Sequence, residues 1–183
     1  MDYIETWKEI IQTPSDFYRR MPTSGGYADP LTFAAISYVI YGLLTALFNR
    51  GMSMGGMYGM YGRGFSFSAV IAAAIMTPIV GIISTFIVAA ILYIIYKVLG
   101  GTGSYEGTVR VISYATAVLA LSWIPLLGLI ASIYGLYLYI VGGMTVHNVS
   151  MGKSAIAVLL PTVLVFILAM LVASLAALSS IVF

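Results

Sequence analysis

Residues 100–117, GGTGSYEGTVRVISYATA, stand between two long apolar stretches of the chain. Two glycines end the first stretch. The second begins with Glu106 and Arg110, an acid and a base four residues apart. Residues at this spacing share one face of a helix, and the helix dipole favours an acid in the first turn. The segment therefore predicts the end of one helix, a turn, and a new helix that begins with an ion pair.

The composition indicates a protein that folds in a lipid bilayer. The 183 residues are 61% hydrophobic and only 8% charged, and the mean hydropathy is +1.05. Soluble domains carry roughly 25% charged residues. A net charge of +2 without a basic stripe predicts no nucleic-acid partner. The chain has no cysteine, so disulfides, thiol catalysis and thiolate metal sites are excluded.

Five apolar segments predict an all-α integral membrane protein built as a five-transmembrane-helix bundle. The predicted membrane domain is residues 30–183, with spans at about 30–48, 67–98, 105–123, 126–144 and 155–183. The second span is too long for one perpendicular helix and contains Pro78, which predicts a kink or a short interfacial helix before it. Whether residues 67–77 span the membrane or lie at its interface stays open. A hairpin of residues 105–144 within one leaflet would leave three crossings.

Residues 1–29 are predicted to form a cytoplasmic N-terminal segment. Apolar side chains recur there at helical spacing, with charged residues between them: Ile4, Trp7, Ile10 and Ile11. This pattern predicts a short amphipathic helix that lies in the membrane interface, with Trp7 as its anchor. Arg19 and Arg20 follow beside two aromatic residues and form a basic-aromatic patch.

The distribution of positive charge predicts the orientation. Five spans place the termini on opposite sides of the membrane. The face that would include the N-terminal segment carries six cationic residues, namely Lys8, Arg19, Arg20, Lys97, Arg110 and Lys153, and the other face carries Arg50 and Arg63. Since cytoplasmic segments are enriched in lysine and arginine, we expect the N-terminus in the cytoplasm and the C-terminus outside.

Several blocks of sequence resemble the Yip domain family, the Ypt/Rab-interacting membrane proteins and their prokaryotic relatives. They are the N-terminal W-x-x-I-I-x-x-P-x-x-F of residues 7–17, the segment of residues 100–117, and IPLLGLIASIYGLYLYIVGGMTVHNVSMGKSAIAVLLP of residues 124–161. The Thr-x-Arg-Val and His-x-x-Ser-x-Gly-Lys elements lie within these blocks. The resemblance covers nearly the whole chain.

This resemblance implies a five-helix membrane fold with a cytoplasmic N-terminus. Eukaryotic members of the family act in vesicle traffic between endoplasmic reticulum and Golgi, where they bind small GTPases and one another. Their long N-terminal region with an Asp-Leu-Tyr-Gly-Pro-like motif is missing from this sequence, which puts small-GTPase binding in doubt. The chain therefore resembles a prokaryotic member, and we expect it in a prokaryotic cell membrane.

Glu106 and Arg110 are the first candidate site. The structural interpretation is a clip that fixes the third span at the cytoplasmic interface. The functional alternative is an ion or headgroup site, because ionisable residues at membrane depth are often functional. Arg110 lies only one to two turns inside the span, where its side chain can snorkel to the interface.

His147, Asn148, Ser150 and Lys153 form a second candidate group. A lone histidine without a neighbouring acid or cysteine is a poor metal site. Ser150 or Ser154 would need an orienting acid and an oxyanion hole to act with His147 as a nucleophile. We therefore predict no catalytic residue, no metal site and no cofactor. The loop is instead expected to contact headgroups, or to pack near Glu106.

Two further patterns have mainly structural interpretations. Four methionines in the loop of residues 49–66, namely Met52, Met54, Met57 and Met60, offer thioether ligands of the kind that select Cu(I), although a glycine- and methionine-rich loop is also an ordinary flexible connection. Small residues repeat on the fifth span at Ala169, Ala173 and Ala177. Such a stripe permits close helix packing within the bundle or self-association.

The sequence leaves three functional classes open. The first is a non-enzymatic scaffold or adaptor that binds lipids or other membrane proteins through a cytoplasmic face comprising Trp7, Arg19, Arg20, Glu106, Arg110, His147 and Lys153. The second is a small transporter or channel, with copper handling as a variant. This class predicts a hydrated cavity reaching the middle of the membrane. An enzyme is third, because no nucleophile, base and orienting group occur together.

Overall fold

The computed structural model describes residues 2–48 and 67–182. Within these two ranges every regular element is helical, which confirms the predicted all-α class for this part of the chain. In chain order the elements are α1 (Tyr3–Gln12), α2 (Pro14–Arg20), α3 (Ala28–Phe48), α4 (Phe67–Val98), α5 (Tyr105–Ala115), a 3-10 turn (Thr116–Val118), α6 (Leu119–Ser122), α7 (Pro125–His147) and α8 (Met151–Val182). The methionine-rich loop of residues 49–66 lies outside the described residues.

Four helices in the described part of the chain are long and apolar enough to cross a membrane. They are Ala28–Phe48, Val70–Val98, Pro125–His147 and Met151–Ala177. Many of their large apolar side chains lie on the protein surface, which water would not favour but lipid does. The protein is therefore a multi-pass integral membrane protein.

Residues 105–123, predicted as the third span, form an interrupted helix at the centre of the bundle. α5, the 3-10 turn and α6 follow one another without a loop. Every residue from Gly107 to Ala115 is buried, so α5 contacts protein rather than lipid. Its arginine, threonine and serine side chains are buried within the protein and so do not contact lipid. Neither α5 nor α6 alone is long enough to cross a membrane, so the predicted count of five spans is not confirmed.

α5 separates two apolar cores. One core joins α5 to α1, α2, α3 and α7 and includes the buried residues Ile10, Tyr18 and Phe33. The other joins α5 to α4, α7 and α8 and includes Tyr96 and Val158. The N-terminal helices and the pair α4 and α8 thus lie on different sides of the molecule.

The bundle has two ends, which we name by their residues. At the glycine end, α4 and α7 terminate and α5 and α8 begin, and the backbone N–H of Thr102 donates to the carbonyl oxygen of His147 over 2.9 Å. At the tryptophan end, the rings of Phe48 and Trp123 lie 4.8 Å apart, at the junction of α3 with the connection between α6 and α7.

The N-terminal helices pack on the bundle. α1 crosses three elements: the Tyr3 hydroxyl bonds Ser37 on α3, the Trp7 indole donates to the Ala117 carbonyl over 2.8 Å, and Tyr134 on α7 donates to the Ile11 carbonyl over 2.7 Å. α2 then runs back towards the glycine end. Trp7, predicted as an anchor in the membrane interface, instead contacts protein, because the apolar face of α1 packs against the bundle.

Two helix boundaries differ from the predicted ones. α4 is one helix from Phe67 to Val98 and includes Pro78, so no separate interfacial helix precedes the proline. The predicted polar loop between α7 and α8 shrinks to three residues, because α7 continues to His147 and α8 begins at Met151. Asn148 permits this tight connection: it adopts a left-handed conformation with φ 53° and its N–H bonds the Met144 carbonyl.

Candidate functional site

The glycine-rich turn after α4 is pressed against the end of α7. Gly100 has φ +86°, a conformation that favours glycine. A Cβ on Gly103 would lie 2.5 Å from the Val146 carbonyl oxygen and 2.8 Å from His147 Nδ1. The turn therefore requires glycine at both positions, and it brings the start of α5 against the last residues of α7.

Glu106 and Arg110 form the predicted ion pair, and the pair holds a third partner. Arg110 Nη2 lies 3.1 Å from Glu106 Oε1. The same carboxylate oxygen accepts a 2.7 Å hydrogen bond from the Gly26 N–H, and Arg110 donates to the Gly26 carbonyl. The Arg110 side chain is 5% exposed and that of Glu106 is 24% exposed. We call this group of Glu106, Arg110 and the Gly26 backbone the Gly26 clamp.

The clamp joins the linker before α3 to the first turns of α5. Ser104 caps α5 by accepting a hydrogen bond from the Gly107 N–H and donating to the Thr23 carbonyl. Each charge in the clamp is compensated by the other. The arrangement therefore suits a structural connection between segments that are distant in sequence, and it offers no uncompensated charge for a substrate.

His147 is fully buried on the other side of α5. Its ring stacks on Tyr96, with ring centroids 4.2 Å apart and planes at 10°. Its Nε2 lies 2.9 Å from the Thr108 hydroxyl oxygen, and its Nδ1 is buried without a hydrogen-bond partner. Ser154 does not act on His147, because its hydroxyl bonds Tyr96 at 2.8 Å and donates to the Ile140 carbonyl. The histidine is thus packed between helices and has no solvent access.

The cationic residues of the predicted face are largely engaged within the protein. Arg20 Nη2 lies 3.1 Å from Glu9 Oε1, and Arg19 Nη2 lies 3.5 Å from Asp16 Oδ1, both at exposed positions. Lys153 Nζ donates to the Leu99 carbonyl over 2.8 Å and so ties the first turn of α8 to the end of α4. The basic-aromatic patch predicted around Arg19 and Arg20 is therefore charge-compensated.

The structure divides the seven predicted site residues among three places. Glu106 and Arg110 are together in the Gly26 clamp. His147 and Lys153 lie at the glycine end, on the opposite flank of α5. Trp7, Arg19 and Arg20 belong to the N-terminal helices, and Trp7 lies near the middle of the bundle beside the 3-10 turn. They do not form one continuous face.

Two residues of the glycine end were not singled out as site residues from sequence. Thr108 makes the hydrogen-bond contact with the His147 ring, and Gly26 completes the clamp. Thr108 lies in the Thr-x-Arg-Val element of the sequence, but the element did not predict its contact with His147. For Gly26 the sequence indicated only a position in a turn-rich linker.

Among the described residues, no group of three or more histidine, cysteine, aspartate and glutamate side chains could hold a metal ion. Two clefts between helices in the described part of the chain are apolar. One of about 250 Å³ lies between α4, α7 and α8 and includes Leu92, Tyr139 and Val158. Another of about 360 Å³ lies between α3, α4 and α6 and includes Tyr38, Met76 and Leu119. Such linings suit acyl chains better than ions.

A comparison with protein families identifies a relationship. A family model described as the Yip1 domain matches residues 8–173, nearly the whole chain. No curated protein and no solved structure matches this sequence. The matched range includes α2 through most of α8, together with the Gly26 clamp and the cluster around His147.

Proposed function

Since the chain belongs to the Yip1 domain family, we propose that it is a non-enzymatic membrane scaffold or adaptor that binds membrane proteins or lipids at its cytoplasmic face. The observation that carries this proposal is the internal use of the charges in α5. Arg110 binds Glu106 and the Gly26 backbone, so the polar groups of α5 connect this helix to the linker before α3. A catalyst or a permeation path would need such groups to face a substrate.

We also propose that α5, the 3-10 turn and α6 together make the third of five crossings. The segment begins near Gly26, just before α3, and ends beside Trp123, which contacts the last residue of α3. Its 18 residues from Tyr105 to Ser122 correspond to about 27 Å at 1.5 Å per residue. This length approaches the ~30 Å hydrocarbon core, and the enclosing helices allow the segment to be polar.

We further propose that the glycine end lies in the cytoplasm. The positive-inside rule supports this orientation, because Lys97 and Lys153 lie at that end and the N-terminal helices carry three more cationic residues. Partner binding would then involve the exposed residues of the glycine end and of α1 and α2. The exposed α8 offers a surface for self-association in the same scaffold role.

Ion and solute flux in proteoliposomes tests the proposal against the transporter alternative. We expect no flux above empty vesicles for the wild type, for Glu106→Gln or for Arg110→Gln. Flux in the wild type that is lost in both variants would overturn the scaffold proposal and make the clamp part of a permeation path.

A photo-crosslinking experiment tests the adaptor role directly. A crosslinker at Asn148 or Lys153, both exposed at the glycine end, should give discrete protein or lipid adducts in native membranes. Leu126 is the matched control, because it is 81% exposed at the tryptophan end. Equal adducts at both ends, or none at the glycine end, would contradict a specific cytoplasmic binding face.

A further inference from the structure

α1 lies far from the glycine end, measured along the bundle. Its contact residue on α7, Tyr134, precedes His147 by thirteen residues, which is about 20 Å at 1.5 Å per residue. Its contact in the 3-10 turn, Ala117, follows Tyr105 by twelve residues, or about 18 Å. Because the contacts of α1 with these elements lie at similar heights, α1 runs across the bundle, roughly in the plane that a membrane surface would occupy.

Apart from Ile4, the outward surface of α1 and α2 is strongly polar. Its exposed side chains include four acids and three bases, namely Asp2, Glu5, Glu9, Asp16, Lys8, Arg19 and Arg20. The ion pair between Arg20 and Glu9 also fastens α2 to α1. Each charged residue at the bilayer centre costs roughly 2.5–3.5 kcal/mol even on the lowest scales. Hydrocarbon therefore does not cover this surface.

On the other side of α5 the surface of α4 and α8 carries exposed apolar side chains down to the glycine end, where the exposed Lys97 and Lys153 lie among them. Ile94 and Val98 on α4 are 61% and 81% exposed, and Met151 and Ile156 on α8 are more than half exposed. Val98 lies at the level of His147, because the turn that follows it bonds the His147 carbonyl. Hydrocarbon is needed here at a level about 20 Å below α1.

The length of the exposed apolar surface therefore differs between the side of the molecule at α4 and the side at α1, and each length matches a bilayer of different thickness. Exposed apolar residues on α4 extend from Phe67 to Val98, about 46 Å along the helix. Beside α1, among the described residues, the exposed large apolar side chains of α3 extend from Ile36 to Phe48, about 18 Å. The hydrocarbon core of a typical bilayer, ~30 Å, fits neither side. Tilting the molecule redistributes this mismatch but does not remove the wedge shape.

We propose that the outward surface of α1 and α2 is a docking surface for phospholipid headgroups of the leaflet at the glycine end, and that it draws this leaflet towards the bilayer centre and thins the membrane on that side. The mixture of acids and bases fits zwitterionic headgroups, which carry both a phosphate and an ammonium group. A purely basic surface would instead select anionic lipids. This inference rests on the proposed scaffold function and deepens it by naming lipid as the partner of one surface.

Spin-label depth measurements test the proposal, and the absence of native cysteine makes single labels straightforward. Nitroxides are attached to Gln12→Cys on the outward side of α1 and to Ile94→Cys on α4, in bilayers of a zwitterionic phospholipid with 18-carbon chains. We expect the Gln12 label to collide mainly with an aqueous nickel chelate and the Ile94 label mainly with oxygen. Aqueous exposure of both labels would mean that the glycine end simply protrudes, and burial of the Gln12 label in hydrocarbon would also overturn the proposal.

A distance measurement excludes the case in which α1 leaves the bundle and lies on a flat membrane. Labels at Gln12→Cys and Ile130→Cys flank the hydrogen bond between Tyr134 and Ile11, so a short and narrow distance distribution is expected. A long, broad distribution would overturn the proposal. Both results are separate from the flux experiment, so a flat bilayer around a non-conducting protein would refute the thinning and leave the scaffold role intact.

Charge substitutions provide the functional variant. Glu5→Leu with Lys8→Leu removes two of the seven charges and makes the outward surface of α1 less polar, and we expect the Gln12 label to lose nickel accessibility and gain oxygen accessibility. The matched control, Glu5→Lys with Lys8→Glu, keeps both charges and should keep the wild-type depth. An unchanged depth in the leucine variant would show that headgroup docking does not set the level of the leaflet.

Discussion

Arg110 donates a hydrogen bond from Nη2 to the carbonyl oxygen of Gly26, eighty-four residues earlier in the chain. This bond and the one from the Gly26 N–H to Glu106 connect the linker before α3 to the central helix. An ion pair that joins neighbouring turns of one helix therefore also fixes the position of the whole N-terminal segment.

Glu106→Gln should destabilise the protein by about 3 kcal/mol, because it leaves Arg110 buried without a counter-charge. The double variant with Arg110→Gln should be less destabilised than the sum of the single changes, since the two groups interact. Thermal unfolding in detergent, followed by circular dichroism, measures this. The control Asp16→Asn removes an exposed partner of Arg19 and should cost at most about 1 kcal/mol. Equal effects at the two sites would contradict the structural role of the clamp.

Gly103→Ala should cost about 1–3 kcal/mol, because its Cβ would overlap the Val146 carbonyl and the His147 ring. The measurement is again the unfolding temperature. Gly152→Ala is the matched control: nothing lies within 4 Å of its Cβ position, and alanine is the better helix former. If both variants melt like the wild type, the close contact between the turn and α7 does not exist in the membrane.

Trp7→Phe should loosen α1, because the Ala117 carbonyl in the 3-10 turn loses its donor, at a cost of about 1–3 kcal/mol. Limited trypsin digestion at Lys8, Arg19 or Arg20 should become faster, which gel electrophoresis detects. Trp123→Phe is the control, since its indole bonds the Ala120 carbonyl three residues away and holds no separate segment. Unchanged digestion of Trp7→Phe would argue against docking of α1 on the bundle.

The buried phenol of Tyr18 should make the protein less stable to unfolding at high pH. Burial raises the pKa of its phenol well above the ordinary value of 10.0, and Tyr139 and Tyr134 raise it further. The folded state therefore keeps this proton while the unfolded state releases it from about pH 10 upwards. The contribution is complete below that pH and is lost as the pH rises towards the folded-state pKa. Unfolding measured between about pH 8 and about pH 11 should show a smaller decline in Tyr18→Phe than in the wild type. An identical decline would assign the effect to other groups.

The sequence by itself determined the class of the protein and most of its helices. A long segment of high hydropathy indicates a lipid environment, so the four long apolar helices and the bilayer environment could be predicted from composition and length. Residue spacing along a helix identifies side chains that are neighbours on one face. The pair of Glu106 and Arg110, four residues apart, and the start of α5 at Tyr105 could therefore be predicted from sequence.

Only the tertiary structure decided which surfaces meet. Hydropathy cannot distinguish a polar helix in water from one enclosed by other helices, so the burial of α5 needed long-range packing. The amphipathic pattern of α1 fits a membrane surface and a protein groove equally well, and the groove is made by residues more than a hundred positions away, such as Ala117 and Tyr134. For the same reason Gly26 had no sequence signal as a partner of Arg110: a backbone carbonyl becomes specific only when folding places it beside a buried charge.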